Sequence, residues 1–255
     1  TKSNVLSANY PFATIEPNVG VVEVKDKRLD NIVKIVNPKS VVYTTFSFTD
    51  IAGLVKGASQ GEGLGNQFLS HIREVDAICQ VVRCFENKDI IHVNGVVNPL
   101  DDIETINMEL IFADMDVIEK RIPKIEKKAQ FKTDKESVLE YNALMKIKKV
   151  LEDGKMAKEA DLTEEELLMI KNFCFLTMKP MIYVLNVSED EINEDNDLVK
   201  SVMEYASNHG CKTVKISAKL EEELSQLDDE EKEMFLEELG LEESGLDKLV
   251  AEAYK

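Results

Sequence analysis

Nowhere in the 255 residues does Gly-Lys precede Ser or Thr; the one Gly-Lys pair, Gly154-Lys155, is followed by Met156. The phosphate loop G-x-x-x-x-G-K-S/T is therefore absent from this sequence, and with it the amides and lysine that cradle a β-phosphate. No apolar run approaches the ~20 residues that span a bilayer, and no basic-then-apolar leader is read at the start. Low-complexity sequence is nearly absent too, and a hydrophobic content of 44% supports a core rather than disorder. Cys79, Cys84, Cys174 and Cys211 lack C-x-x-C spacing. They read as buried reduced thiols rather than metal ligands, which points to a cytoplasmic protein. Positive charge is in deficit: 31 Lys and Arg face 49 Asp and Glu, a formal net charge of −18. That disfavours non-specific binding to DNA, which requires cations against phosphates.

The charge is unevenly spread. From Lys120 to Lys135 the basic residues are Lys120, Arg121, Lys124, Lys127, Lys128, Lys132 and Lys135, against Glu126 and Asp134 alone. This stretch is either a solvated helix face or a local contact for a polyanion. Glu221 to Glu243 is the reverse, with only Lys232 to offset its acids.

Short runs rich in Val, Ile and Phe predict strands at Gly20–Val24, Thr44–Thr49, Ala77–Phe85, Met181–Val187 and Lys212–Ser217. Helical patterns at Asn66–Val75 and Asp197–Asn208 alternate with them, the second stopped by His209-Gly210. Such alternation predicts an α/β fold with a mostly parallel sheet covered on both faces. The middle departs from it. Asp101 or Asp102 is expected to cap a helix with Ile103, Ile106, Leu110, Ala113 and Val117 on one stripe, continuing past Pro123 with a kink or break there. A second helix is expected from Lys135 to Leu151, ending near Gly154, and Thr163-x-x-Glu166 is a capping box for a third. Two long helices joined by a polar turn make a hairpin. The chain is therefore read as residues 1–100 and 178–255 forming one α/β domain, with 101–177 inserted as a helical coiled-coil arm.

Phe46-Ser-Phe-Thr-Asp50-Ile-Ala-Gly53 carries the most chemistry. A strand ending on Asp places a carboxylate where it can hold Mg²⁺, and Gly three residues later lets an N–H approach a γ-phosphate. Gly57, Gly61, Gly63 and Gly65 follow, giving a loop able to change with phosphate state. Thr14, upstream of the first strand, offers a hydroxyl that can ligate Mg²⁺ only while the triphosphate is intact. Leu54 stands where many GTPases carry a water-orienting glutamine, and an aliphatic side chain cannot do that work. His92, in a polar segment, is either a surface residue or a side chain that swings toward the phosphate. Asn186-Val187-Ser188-Glu189 follows a strand, where such sheets bind ligands. Compared with the N-K-x-D base motif of GTPases, Val187 replaces a lysine and Glu189 replaces the aspartate that reads guanine, so ATP is favoured over GTP. As a bare turn former Asn186 would have no such role. Ser217-Ala218 ends the last strand and offers backbone N–H groups to the base.

Together these residues closely resemble the YchF/Obg-like ATPase family of translation-factor-class P-loop NTPases. The specific segments are Asn9–Gly20, Phe48–Asn66, Val82–Asn87 and Pro99–Ile106. The resemblance spans essentially the whole chain. It implies a P-loop NTPase-like sheet interrupted by a helical arm, a further C-terminal TGS domain, Mg²⁺-dependent hydrolysis of ATP, and ribosomes or translation factors as partners. By position it implies Thr14 and Asp50 as Mg²⁺ ligands and Gly53 and His92 as catalytic contacts. Asn186, Val187, Glu189, Ser217 and Ala218 would surround the base. The first strand and the phosphate loop of that family are expected to be missing here, which predicts a gap in the middle of the sheet.

Overall fold

The computed structural model describes residues 18–24, 26–51, 64–87, 96–131 and 134–255, with the side chains of residues 18, 27 and 64–68 left aside. Its best-buried element is strand β4, Met181–Asn186, flanked in parallel register by β3, Ile78–Arg83, and β5, Lys212–Ile216. Met181 through Leu185 are all buried, as expected of a central parallel strand covered on both faces. Alternation then sends Tyr183 and Leu185 one way and Ile182 and Val184 the other.

On the first face lie three helices: α2, Leu64–Glu74, α3, Pro99–Gln130, and α6, Asp197–Asn208. Leu69, Ile72, Ile103, Leu110, Val199 and Val202 from these helices close over Tyr183 and Leu185. The opposite face is covered by Leu249 of α9, Gly245–Tyr254, packed with Val214. This two-faced packing is the three-layer α/β arrangement that the alternating pattern predicts.

A second ladder is antiparallel: β1, Asn18–Glu23, pairs with β2, Thr45–Asp50, with Asn18 opposite Asp50. Helix α1, Lys27–Val36, lies between them in sequence, capped by Asp26 and ended by Asn37 in left-handed conformation (φ 45°). Among the described residues no hydrogen-bonded ladder joins β2 to β3, so the sheet is in two pieces. Phe48 of β2 nevertheless reaches the apolar cluster of Ile182, Val184 and Val214.

Helix α3 starts earlier than expected. Asn98, not Asp101 or Asp102, is the N-cap, and Pro99 opens the first turn because its ring fixes a helical φ. Asp101 and Asp102 instead occupy that first turn, where their charge meets the helix's positive end. The helix also runs unbroken through Pro123. A proline inside a helix costs about 3 kcal/mol. Packing offsets it: Ile118 and Ile125, on either side of Pro123, bury against the helix α4, Lys135–Glu152, through Leu144 and Ile147. Since α4 begins a few residues after α3 ends and packs along it, the two run antiparallel.

Thr163 and Glu166 form the expected capping box, but the helix they start, α5, spans only Glu164–Ile170 before two 3₁₀ turns carry the chain toward β4. After β5 come α7, Ala218–Leu224, and α8, Asp229–Glu238, which bury Leu220, Leu224 and Leu236 against one another. Most of their acidic residues face outward, but Glu221 turns in and accepts from the Gly245 amide at 2.7 Å, where burial raises its pKa. Helix α2 begins at Leu64, so Gly65 belongs to a helix and not to the glycine loop. The cysteines differ from expectation as well: Cys84 is buried, Cys79 and Cys211 are partly so, and Cys174 is exposed. Cys174 escapes the core because it ends a 3₁₀ turn in left-handed conformation (φ 49°).

Candidate functional site

The C-terminal ends of β3, β4 and β5 are tied into one rim. The Cys84 amide donates to the Asn186 carbonyl at 2.8 Å, the Val187 amide to that of Ile216 at 2.9 Å, and the Asn196 side chain to the Cys84 carbonyl at 2.9 Å. Burial holds the Cys84 thiol protonated, pushing its pKa up to about 12. Arg83 lies over the Phe85 ring, its carbon 4.8 Å from the centroid, and donates to the Phe85 and Asn87 carbonyls. Loops leaving such an edge are where α/β sheets take ligands.

Five residues singled out in the sequence meet on this rim. Asn186 closes β4, and its Oδ1 accepts from the Ala218 amide at 2.9 Å. Ser217 is buried and caps α7 through Oγ and the Leu220 amide. Val187 packs its side chain into the main core. Glu189 begins a 3₁₀ turn and accepts from Lys219 Nζ at 2.5 Å, while Ser188 Oγ bonds Glu191 at 2.9 Å. The carboxylate raises the pKa of Lys219, keeping it charged. Glu189 is thus engaged by a cation two residues beyond Ser217. Sequence reading missed Lys219, since spacing alone does not say that the loops after β4 and β5 face each other.

Asp50 ends β2 with an exposed carboxylate that no hydrogen bond or ion pair engages among the described residues. Thr14, Gly53 and His92 lie outside the described residues. Among the described residues no cluster of three or more His, Cys, Asp or Glu forms a metal cage. An exposed carboxylate at a strand end fits Mg²⁺, which commonly takes one or two protein oxygens and completes its shell with water and phosphate.

A second aspartate has a different environment. Asp114 of α3, fully buried, accepts from the Leu176 amide at 3.1 Å, the Thr177 amide at 2.8 Å and the Thr177 hydroxyl at 2.7 Å. Arg73 of α2 completes the set at 3.0 Å and also reaches the Ala113 and Cys174 carbonyls. The helix that follows the glycine-rich stretch is in this way fastened to the long helix α3. An acid set among Leu110, Ile111, Ala113 and Ile118 was the signal that sequence reading passed over.

A family model described as a 50S ribosome-binding GTPase matches residues 1–111. The Bacillus subtilis protein "Ribosome-binding ATPase YchF" is 54% identical over 256 aligned positions, covering all of this chain and 70% of that protein. Its Haemophilus influenzae namesake is 50% identical, covering all of this chain and 69% of that one. The solved structure of the Schizosaccharomyces pombe YchF GTPase superposes with a TM-score of 0.80 at 35% identity, over 97% of this chain and 67% of that one. With identity at this level along its whole length, on a matching α/β fold, the chain belongs to the YchF family.

Proposed function

We propose that the chain is the nucleotide-hydrolysing part of a ribosome-associated switch, cleaving ATP in preference to GTP with Mg²⁺. Residues 1–100 and 178–255 serve as the nucleotide-binding body and 101–177 as the arm. The observation that carries the reading is the rim itself, where Asn186 and Ala218 stand beside a Glu189 already engaged by Lys219. Guanine needs a free carboxylate for its N1–H and amino group; adenine does not. In this assignment Asn186, Val187, Ser217 and Ala218 border the base, Val187 chiefly through its backbone. Asp50 and Thr14 hold the Mg²⁺, which neutralises charge on the phosphates. Gly53 offers its N–H to the γ-phosphate, and His92 orients the attacking water in place of the glutamine that Leu54 displaces.

Relatives carrying "ribosome-binding" in their names support the partner. Lys124, Lys127 and Lys128 lie exposed near the end of α3, and we assign them the ribosomal contact. Reversing their charge should lower co-sedimentation with ribosomes; unchanged co-sedimentation would remove them from the interface.

The test of nucleotide chemistry is Mg²⁺-dependent binding of fluorescent ATP and GTP. Two proteins are compared: this chain, and the chain preceded by a strand bearing a G-x-x-x-x-G-K-S/T loop. ATP binding by the second alone is expected, because this sequence has no loop of that kind. In that protein Lys219→Ala should release Glu189 and narrow the preference for ATP over GTP several-fold. Tighter binding of GTP than ATP by the unsubstituted protein would make it a GTPase. Binding of neither nucleotide would favour a non-catalytic reading, in which the arm is presented to a partner.

A further inference from the structure

At the opposite ends of β4 and β5 from the rim, about 17 Å away by strand length, the structure encloses a cavity of about 140 Å³. Met181 and Tyr183 of β4, Asn107 of α3, and Tyr205, His209 and Cys211 line it. The segment following α4, Gly154 to Glu159, forms the mouth.

Two features give the cavity a chemical direction. Inside, Asn107 is 9% exposed and its Oδ1 has no hydrogen-bond partner, although its Nδ2 donates to the Tyr205 hydroxyl at 3.2 Å. A buried acceptor left unmet costs about 1–3 kcal/mol, so the site is short of one donor. The lining also holds Lys155, Lys158 and Lys179 against one acid, Glu159, in a chain whose net charge is −18; the Lys179 ammonium is taken up by the Arg73 and Val75 carbonyls, which leaves Lys155 and Lys158. Lys158 Nζ lies 3.4 Å from both the His209 carbonyl and Cys211 Sγ. Lys155 is exposed and lines the cavity. Glu159 is partly engaged, since its Oε1 accepts from the Met156 amide at 3.1 Å. The His209 ring stacks on Tyr205, with centroids 4.1 Å apart.

We propose that this cavity binds a small hydroxycarboxylate, its hydroxyl donating to Asn107 Oδ1 and its carboxylate held at the mouth by Lys158 and Lys155. The volume sets the size, because a cavity of about 150 Å³ takes a benzene-sized molecule, roughly six to nine heavy atoms once the open mouth is counted. The apolar side chains of Met156, Leu176 and Met181 accommodate the carbon skeleton between the two polar ends. This assignment is independent of which nucleotide the rim prefers.

Isothermal titration of the full chain with malate and with succinate tests it, since the pair differ by one hydroxyl. Malate should bind at least tenfold more tightly, a difference of about 1.4 kcal/mol. Asn107→Leu should bring malate down to the succinate value, and the exposed Lys158→Gln should weaken both acids alike. If Asn107→Leu fails to fold, the malate-to-succinate ratio of the unsubstituted chain still decides. Equal affinity for the two acids, no malate binding up to about 10 mM, or binding indifferent to Lys158→Gln would each overturn the proposal and leave a water-filled cleft.

Discussion

The antiparallel helices α3 and α4 and the ladder of β1 with β2 are held together by different physics. Between the helices Ile118, Leu144 and Ile147 are wholly buried. Arg121 and Glu140 make a two-pronged ion pair across the seam, with Nη2 to Oε2 at 2.8 Å. The ladder has six paired positions and little to bury: Val19 and Val21 are 62% and 63% exposed, and Ile35 of α1 is 83% exposed. A two-stranded ladder alone is marginal in water. The comparison teaches where rigidity sits in this chain. The arm is a packed strut, and the strand delivering Asp50 is among the elements least anchored by burial, as elements that move commonly are.

The largest expected effect tests the strut's attachment. Asp114→Ala removes a buried carboxylate with four donors and leaves Arg73 facing an apolar hole. Breaking a buried pair in this way costs about 3–5 kcal/mol, to be read as a lowered urea midpoint. Asp114→Asn should recover part of the loss by keeping some of the hydrogen bonds. A cost under about 1 kcal/mol for the alanine variant would mean that α2 and α3 are not fastened through this side chain.

Next comes the strut's interior. Leu144→Ala should cost about 2–5 kcal/mol, the usual range for a leucine cavity in a close-packed seam. Thermal unfolding followed by circular dichroism reads it directly. A small cost would show that α3 and α4 slide together to refill the space, making the arm more compliant than its burial suggests.

An intermediate effect comes from the thiols. Cys84, at the end of β3, has its pKa pushed up to about 12 by burial, while Cys174 is exposed. In the unfolded chain the Cys84 thiol ionises near its ordinary pKa, so between roughly pH 9 and 12 the unfolded state binds fewer protons than the folded one. Stability therefore falls as pH rises across that window, by up to about 1.4 kcal/mol per pH unit. At pH 8 iodoacetamide should label Cys174 quickly and Cys84 only on unfolding. Equal labelling rates would show that the β3 end opens as readily as the surface.

Much of this was legible in the sequence, for identifiable reasons. Strand positions came within one or two residues because β4 and its neighbours are short apolar runs bounded by turn residues, and parallel burial demands such runs. Asp197–Asn208 matched to the residue because Asn196 caps it and Gly210, at φ 62°, ends it. Helix α3 continues past Pro123 as expected and does so without a break, since the proline's local cost is visible in the sequence and the tertiary packing that offsets it is not. The five residues that meet on the rim came from strand ends, a topological rule. Lys219 and Arg73 act through partners 30 and 41 residues away, and no local pattern encodes that distance.

The smallest expected effect is the one that could break the comparison. Val21 pairs with Ser47 in the middle of the ladder and leaves most of its side chain in water. If β1 and β2 are held by backbone pairing alone, Val21→Ala gives up little apolar burial and some strand propensity. The loss should be about 0.5 kcal/mol or less, as for most surface positions. Native-state hydrogen exchange at the Val21 and Ser47 amides gives the local reading, with opening expected well below the global unfolding free energy in both proteins. A loss approaching that of Leu144→Ala would mean that the exposed face of β1 is covered in solution. The ladder would then be a packed element like the arm, and Asp50 would stand on a strand as firmly anchored as β4.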